Sequence, residues 1–262
     1  MESLLDLKER VALVTGAGQG VGRQAALHMA AHNAGGVVVN DFHLARAEAV
    51  AEEIRAMGGK ALPIACDVTN YDAVVAMVAA GEAEFGKIDI LVNNAGNAGP
   101  TQGLSDIKPF WETGPEEWAH WLGTNLYGVL NCTRAAIGGM LARQQGRVIT
   151  VISDAGRVGE PHLAVYSGAK AGAAGFMRGL AKAVGRANVT ANCIALAGVN
   201  TPGVAGLMPD DDTMKKILRA YIIRRMGEPS DAANMILFLA SDAASWITGQ
   251  TYPVNGGYSV SV

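Results

Sequence analysis

A tyrosine and a lysine stand four residues apart at Tyr166 and Lys170, a spacing that suits proton transfer. Residues four apart lie on one face of a helix, so the lysine ammonium would lie near the tyrosine hydroxyl. A phenol has an unperturbed pKa of about 10, which makes it a poor base, and a neighbouring cation lowers that pKa. Such pairs are also common on solvent-exposed helices. The pair therefore predicts acid/base chemistry only together with other motifs.

A second chemical signal is the glycine-rich segment Thr15–Gly22. It follows a short apolar run and opens an amphipathic stretch, which predicts a strand, a tight turn and a helix N-terminus. Glycines let the backbone approach a pyrophosphate, whose charge is stabilised by the helix N-terminus. A tight strand-to-helix turn alone would use the same glycines. The position ahead of a strand–helix–strand unit favours a dinucleotide site.

The residues after the second predicted strand indicate which dinucleotide would bind. Asp41 ends that strand, and an acidic side chain there can accept hydrogen bonds from the adenosine ribose while it repels a 2′-phosphate. Phe42 follows, and the glycine-rich segment holds Gln19 where a basic residue could contact that phosphate. These features favour NAD over NADP. The alternative is that Asp41 only caps the following helix.

The rest of the chain predicts the scaffold that must position these residues. Apolar β-branched runs alternate with amphipathic stretches, as in a parallel sheet covered by helices on both faces. The predicted strands are Val11–Thr15, Val37–Asn40, Ala61–Cys66, Ile88–Val92, Arg147–Ile152, Val189–Ile194 and Thr251–Val254. The predicted helices are Val21–Asn33, Leu44–Met57, Tyr71–Phe85, Glu116–Arg143 and Ala164–Arg186. The prediction is a single α/β domain over residues 1–262, a doubly wound Rossmann-type fold with a seven-stranded parallel sheet.

Composition excludes several classes of protein. Half of the 262 residues are hydrophobic and 17% are charged, which excludes intrinsic disorder. Twenty-one basic and 24 acidic residues give a net charge of −3, so nucleic acid and membrane partners are not expected. Three scattered cysteines and the absence of a signal peptide predict a cytoplasmic protein. No metal site is predicted, because His28 and His32 lack a third ligand and Asp210–Asp212 is typical of a solvated loop.

Taken together, the motifs resemble those of the short-chain dehydrogenase/reductase family. They are Thr15-Gly16-x-x-x-Gly20-x-Gly22, Asn93-Asn94-Ala95-Gly96, Tyr166-x-x-x-Lys170, Gly227-Glu228-Pro229 and Asn255-Gly256-Gly257, and they span essentially the whole chain. The resemblance implies cofactor contacts from Gly16, Gln19, Gly20, Val21, Gly22, Asp41, Asp67, Val68, Asn94, Ala95, Gly96, Tyr166, Lys170, Val199 and Thr201. Asp67 and Val68 would flank the adenine. Val199 and Thr201 would contact the nicotinamide carboxamide.

The resemblance also implies a catalytic tetrad of Asn125, Ser153, Tyr166 and Lys170. Tyr166 would be the acid/base, and Lys170 would also hold the nicotinamide ribose. Ser153, 13 residues before Tyr166, could reach the substrate oxygen. Asn125 would help to hold a water that relays protons to the lysine. Each could have a structural explanation, Ser153 as a turn cap and Asn125 as a satisfied amide, but the matching spacing of all four favours catalysis.

One segment departs from the family pattern. The family usually has Pro-Gly after the sixth strand, whereas this chain has Leu196-Ala197, with Gly198 one place later. Proline fixes φ, and glycine permits conformations that alanine resists. We therefore expect this loop to run differently, which bears on the predicted contacts of Val199 and Thr201.

The stretch Asn97–Trp121 is long for this family and rich in aromatic residues. Trp118 and Trp121 have the spacing of a core-facing helix stripe. Phe110 and Trp111 lie in a loop punctuated by proline and glycine, so Trp111 is predicted to contact the substrate together with Ser153 and Tyr166. A wall of this kind would favour a bulky apolar or cyclic alcohol. Packing against the sheet or an oligomer interface is the alternative.

The resemblance implies an NAD-dependent oxidoreductase that interconverts a secondary alcohol and a ketone, both small molecules. The segment Ser153–Gly159 resembles a branch that oxidises cyclic hydroxyacyl-CoA thioesters. A 3-oxoacyl thioester reductase that uses NADP, a non-catalytic NAD-binding sensor or scaffold, and a purely structural protein stay open as alternatives. The family most often forms tetramers. The small-residue stretch Ala169–Leu180 suits close helix packing, so a homotetramer is expected.

Overall fold

The computed structural model describes residues 3–97, 108–202 and 211–260. Seven parallel strands form one sheet in the order β3-β2-β1-β4-β5-β6-β7. They are β1 (Val11–Val14), β2 (Gly36–Asp41), β3 (Ala61–Ala65), β4 (Ile90–Asn93), β5 (Gly146–Ser153), β6 (Val189–Leu196) and β7 (Thr251–Val254). The strand order reverses between β1 and β4, which opens a crevice at their carboxyl ends. The predicted doubly wound α/β fold is confirmed.

The helices of the described residues cover both faces of this sheet. They are α1 (Gly20–Ala31), α2 (Leu44–Ala56), α3 (Tyr71–Phe85), α4 (Pro115–Leu122), α5 (Gly128–Arg143), α6 (Ala155–Val158), α7 (Ala164–Val184), α8 (Asp211–Leu218) and α9 (Pro229–Ala240). Neighbouring residues of β1 point to opposite faces. Val14 joins a core cluster with Met29 of α1 and Ile236 of α9. Leu13 joins a second cluster with Met177 of α7.

The structure corrects the predicted helices in several places. The single helix expected over Glu116–Arg143 is interrupted by a π-helical turn, Gly123–Tyr127, between α4 and α5. Such turns insert one extra residue and often mark functional sites. Sequence periodicity also gave no helix at α9, which is held by a capping box between Glu228 and Asp231. Its buried apolar face packs on α1.

Smaller shifts affect the ends of elements. The strand expected from Ile88 begins at Ile90. At Asp89 the side-chain Oδ2, and not the backbone carbonyl, accepts the hydrogen bond from the Val11 amide, at 3.1 Å. Residues 98–107, which belong to the long stretch Asn97–Trp121, and residues 203–210 lie outside the described residues. Asp210 of the acidic run is among them, whereas Asp211 and Asp212 begin α8 and do not form the loop that the sequence predicts.

None of the helices in the described ranges has the length and apolar character needed to cross a bilayer.

Candidate active site

A cleft of about 910 Å³ lies at the carboxyl ends of the strands, where the order reverses. It is lined by residues that follow six of the seven strands. The predicted site residues in its lining are Gly16, Gln19, Gly20, Val21, Asp41, Asp67, Val68, Asn94, Ala95, Gly96, Ser153, Tyr166, Lys170, Val199 and Thr201. Among described residues, the predicted Gly22, Asn125 and Trp111 do not line it. The fold thus brings the two chemical signals of the sequence into one cavity.

The glycine-rich segment is packed so tightly that side chains would not fit. A Cβ atom on Gly22 would lie 2.3 Å from the carbonyl oxygen of Gly16 and 2.4 Å from Nδ2 of Asn94. Gly16 itself has a φ of +60°, and its added Cβ would lie 2.9 Å from Cα of Ala95. Gly22 therefore acts from behind the cleft, since it lets α1 approach the turn. The result is a shallow backbone cradle at a helix N-terminus, a shape that fits a pyrophosphate.

Asn94 joins the ends of β1 and β4 beneath this cradle. Its Nδ2 donates to the carbonyl oxygens of Thr15, at 2.9 Å, and Gly16, at 3.0 Å. The Thr15 hydroxyl oxygen accepts from the amides of Asn94 and Ala95, each at 3.0 Å. These bonds fix the crevice between the two strands.

Asp41, the last residue of β2, lies at the other end of the cleft from the catalytic pair. Its Oδ2 accepts a hydrogen bond from the Gly18 amide at 3.1 Å, and its Oδ1 accepts from the His43 amide at 3.0 Å. The residue is only 6% exposed but still lines the cleft. The carboxylate is therefore held rigidly, with lone pairs left for further donors. Arg46, in the first turn of α2, lines the same end, and our sequence analysis missed it although it follows Asp41 by five residues.

The loop after β3 is fixed by α5. Nδ2 of Asn131 donates to the carbonyl oxygen of Val68 at 2.9 Å, and a Cβ on Gly128 would lie 2.7 Å from a methyl carbon of Val68. Oδ1 of Asp67 accepts from the amide of Thr69 at 2.9 Å. Asp67 and Val68 thus form a firm wall next to Asp41.

The catalytic end of the cleft joins the last residue of β5 to the first half of α7. The side chains of Ser153 and Tyr166 are hydrogen-bonded. Lys170 follows one turn later, with its Nζ 5.8 Å from the centre of the Tyr166 ring and 3.0 Å from the carbonyl oxygen of Val151, to which it donates. Lys170 is buried and Tyr166 is half-buried, so the lysine lies below the ring that faces the cleft.

Burial shifts the protonation of this pair toward neutral forms. It raises the pKa of Tyr166, and the hydrogen bond from Ser153 opposes that rise. Burial also lowers the pKa of Lys170 to about 8, opposed by the nearby Cys193. Within the protein alone, the phenol is therefore protonated at neutral pH. A negative or electron-rich ligand group near Lys170 would favour its charged form.

Asn125 lies in the π-helical turn and is completely buried. Its Nδ2 donates to the carbonyl oxygens of Trp121 and Asn97, each at 3.0 Å. A Cβ on Gly96 would lie 3.1 Å from Oδ1 of Asn125 and 3.3 Å from Nζ of Lys170. The glycine thus lets the Asn125 amide and the Lys170 ammonium both approach the space that a side chain would fill. Both interpretations of Asn125, a satisfied amide and a member of the tetrad, fit this position.

The aromatic residues on the substrate side are divided between surface and site. Trp111 is 81% exposed. Phe110 stacks on Trp118, with ring centres 5.5 Å apart. Trp121, expected in a core stripe, is buried and lies edge-on to the Tyr166 ring at 5.7 Å. The aromatic side chain that contacts the catalytic end is therefore Trp121, and the predicted contact of Trp111 with substrate stays a prediction.

The loop after β6 is held by an interaction that its sequence did not suggest. The amide of Gly198 donates to the hydroxyl oxygen of Tyr221 at 2.9 Å. Val199 forms an isolated parallel bridge with Gly227. Thr201 lies against the cradle, since its Cγ2 would be 3.1 Å from a Cβ on Gly20. With Leu196-Ala197 in place of Pro-Gly, both Val199 and Thr201 still line the cleft.

Comparison with known proteins agrees with this geometry. The family model described as "Enoyl-(Acyl carrier protein) reductase" matches residues 16–259. The (2S)-[(R)-hydroxy(phenyl)methyl]succinyl-CoA dehydrogenase subunit BbsD of Thauera aromatica is 38% identical, over 98% of this chain and 99% of the relative. A 3-oxoacyl-[acyl-carrier-protein] reductase of Synechocystis sp. is 40% identical, over 96% of this chain and 97% of the relative.

Solved structures share the fold over nearly the full length. A 7α-hydroxysteroid dehydrogenase in complex with NADH and 7-oxo glycochenodeoxycholic acid superposes with a TM-score of 0.90 at 33% identity, covering 97% of this chain and 96% of that one. A 3-oxoacyl-[acyl-carrier protein] reductase from Brucella melitensis with bound NAD has a TM-score of 0.87 at 32% identity, covering 98% and 95%. The chain therefore belongs to the short-chain dehydrogenase/reductase family of oxidoreductases.

Proposed function

We propose that the protein is an NAD-dependent dehydrogenase that interconverts a secondary alcohol and a ketone. One observation carries the proposal: Ser153, Tyr166 and Lys170 meet at one end of a cleft whose other end is lined by Asp41. A dinucleotide bound between them would place its two halves at these two ends. The glycine cradle between the ends has the form that a pyrophosphate needs.

The residues present fit a nicotinamide dinucleotide. Gly16 and Gly20 both have positive φ, and because they carry no side chain their backbone could approach the pyrophosphate closely. Asp41 would accept from the adenosine ribose, and Lys170 would hold the nicotinamide ribose. When bound, the cofactor supplies the acceptor or donor of a hydride. The remaining predicted contacts, from Asp67, Val68, Val199 and Thr201, are part of the same proposal.

The chain itself handles the proton. In alcohol oxidation Tyr166 accepts the hydroxyl proton while the Ser153 hydroxyl donates to the substrate oxygen. Lys170 stabilises the phenolate that this step needs, and Asn125 is proposed to hold a water that relays protons to it. Because burial raises the pKa of Tyr166, oxidation should rise with pH while ketone reduction should fall. The pH profiles of kcat in the two directions check this expectation.

We propose a cyclic or otherwise bulky substrate. The walls of the cleft next to Ser153 include the apolar Leu196, Ala197 and Gly198. Apolar walls favour bulky groups by the transfer free energy of the buried surface. The relatives named above act on a hydroxyacyl-CoA and a hydroxysteroid, which is consistent with a ring-bearing alcohol or hydroxyacyl thioester.

A second candidate, a 3-oxoacyl thioester reductase that uses NADP, is favoured by one specific observation. Arg46 lines the cleft at the same end as Asp41, so a cation is available near the place of a 2′-phosphate. A curated relative at 40% identity is a 3-oxoacyl-[acyl-carrier-protein] reductase. Asp41 disfavours this alternative, because its carboxylate would repel the phosphate.

We also infer a homotetramer in the cytoplasm. Gly168 and Gly179 of α7 have no atom of the described residues within 4 Å of an added Cβ, which leaves room for a partner helix. Light scattering coupled to gel filtration tests the tetramer.

The experiment that tests the function follows absorbance at 340 nm. Purified protein receives NAD or NADP with cyclohexanol, 2-propanol, a hydroxysteroid and 3-hydroxybutyryl-CoA. The proposal predicts turnover with a kcat/KM at least about tenfold higher for NAD, since a like-charge contact between the Asp41 carboxylate and a 2′-phosphate is unfavourable by several kcal/mol. Equal efficiency, or a preference for NADP, would favour the reductase alternative. Tight binding of NADH without turnover would favour the non-catalytic sensor.

A further inference from the structure

A buried polar cluster joins the turn after Ser153 to the C-terminal segment. Asp154 is 1% exposed and is not among the described residues that line the cleft. Its Oδ1 accepts a hydrogen bond from Arg157 at 2.5 Å, and its Oδ2 accepts from Nδ2 of Asn255 at 2.6 Å and from the hydroxyl of Ser259 at 3.0 Å. We call these four residues the C-terminal clasp. A buried carboxylate with so many donors is a rigid junction.

The clasp is also closed within itself. The Ser259 hydroxyl oxygen accepts from Arg157 at 2.8 Å, and Nδ2 of Asn255 donates to the Ser259 carbonyl oxygen at 2.9 Å. The residues come from two regions about 100 positions apart in the chain, since Asn255 is 101 residues from Asp154. The C-terminal segment is therefore fixed to the turn that begins α6.

The turn that begins α6 also positions the catalytic side chains. The hydroxyl oxygen of Ser153 accepts from the amide of Ala155 at 3.2 Å, the first residue of α6. A Cβ on Gly156 would lie 2.8 Å from atoms of Lys170, so α6 packs directly on the backbone of α7. The position of α6 thus sets both the direction of the Ser153 hydroxyl and the approach of Lys170.

We propose that Asp154 is a positioning residue for hydride transfer, which acts by clasping the C-terminal segment to α6 and so holding the Ser153 hydroxyl at Tyr166. It touches neither the cleft nor the reacting atoms. The inference rests on the proposed function, because the direction of the Ser153 hydroxyl matters to turnover only if Tyr166 is the acid/base. A misplacement of a reacting group by about 1 Å can cost a hundredfold in rate.

The test compares Asp154→Asn with Asp72→Asn, an exposed aspartate in the first turn of α3. An asparagine at position 154 keeps the size of the side chain but turns one acceptor into a donor that faces other donors. We expect kcat of alcohol oxidation with NAD to fall about ten- to hundredfold in Asp154→Asn, while the Kd for NADH stays within about twofold. Asp72→Asn should behave as the wild type.

A pH profile separates positioning from a merely structural role. The hydrogen bond from Ser153 lowers the pKa of Tyr166. If the clasp holds that bond, the rising limb of kcat/KM for oxidation moves to higher pH in Asp154→Asn, in the same direction as in Ser153→Ala. Ser259→Ala leaves the carboxylate in place and should give a smaller loss of kcat, about three- to tenfold. If Asp154→Asn does not fold, Ser259→Ala decides by the same criteria.

Several results would overturn the inference. One is a folded Asp154→Asn with the kcat and pH profile of the wild type. Another is a lower melting temperature with unchanged kcat per NADH-binding site, which would make the clasp a stabilising contact only. In both cases an active wild type would leave the proposed function intact. A wild type that turns over no alcohol with either cofactor would contradict the proposed function and this inference with it.

Discussion

The two ends of the cleft are built in different ways. At the cofactor end, glycines let backbone segments pack directly on one another, as at Gly22, whose missing Cβ leaves room for the Gly16 carbonyl. At the substrate end, side chains of other segments hold the loops that form the walls, as at Gly198, whose amide donates to the Tyr221 hydroxyl. Where backbone packs on backbone, few other residue types fit at each position. Loops held by side chains let substrate preference change while the fold is retained.

Because the two ends are built differently, we expect substitutions at the cofactor end and at the catalytic end to have separable effects on NADH binding and on turnover. The largest expected effect is that of Tyr166→Phe, which keeps the ring that packs on Trp121 but removes the transferable proton. We expect kcat to fall about 10²–10⁴-fold, the usual contribution of acid–base catalysis, with the Kd for NADH nearly unchanged. Steady-state kinetics and NADH fluorescence titration measure the two quantities. Retention of more than about a tenth of the wild-type kcat would show that another group transfers the proton.

Gly22→Ala tests the construction of the cofactor end. The added methyl would overlap the Gly16 carbonyl oxygen at 2.3 Å, so the cradle must shift. Overpacking of this kind costs about 1–3 kcal/mol, which predicts a Kd for NADH weaker by about five- to 150-fold. Calorimetric titration measures it. Gly185→Ala is the matched control, because an added Cβ there meets no atom of the described residues within 4 Å and its φ is helical. An unchanged Kd for NADH in Gly22→Ala would show that the close approach of Gly22 to Gly16 does not shape the cofactor site.

Asp41→Ala tests which nucleotide the cofactor end selects. Loss of the carboxylate removes an acceptor for the ribose hydroxyls and a negative charge beside Arg46, which lines the same end. We expect kcat/KM with NAD to fall about tenfold and the preference for NAD to narrow or reverse, since hydrogen bonds to charged groups contribute about 1.5–3 kcal/mol. Asp72→Ala, at an exposed aspartate of α3 that does not line the described cleft, is the control. If the ratio of kcat/KM for NAD to kcat/KM for NADP stays at the wild-type value, Asp41 is not the residue that selects the nucleotide.

Trp111→Ala gives the smallest expected effect and tests the substrate end. The ring is 81% exposed, so it contributes to binding only if substrate is covered by it. Our proposal predicts a larger rise in KM for cyclohexanol than for 2-propanol, up to about tenfold for a fully buried ring. Trp246→Ala, at a tryptophan that is 98% exposed and does not line the described cleft, is the control. Equal effects on the two alcohols would assign Trp111 to the surface.

The same contrast describes what sequence reasoning can reach. The positions of the seven strands and the glycine-rich turn follow from periodicity and local motifs, because each is set by residues near in sequence. The π-helical turn around Asn125 could not be predicted, since its hydrogen bonds reach Asn97, 28 residues away. The helix α9 was missed because a capping box of Glu228 and Asp231 was not recognised as one. Long-range polar contacts such as the C-terminal clasp leave no local pattern at all.

We propose that this cleft holds an alcohol and a nicotinamide so that a hydride passes between the carbinol carbon and the nicotinamide ring, while Tyr166 transfers the proton. Incubation of the wild type with NAD and cyclohexanol deuterated at the carbinol carbon, followed by mass spectrometry of the NADH formed, tests it most directly. We predict one deuterium on the nicotinamide ring and, in Tyr166→Phe, almost no labelled product at equal NADH binding. NADH without deuterium, or equal labelling by the variant, would contradict the account.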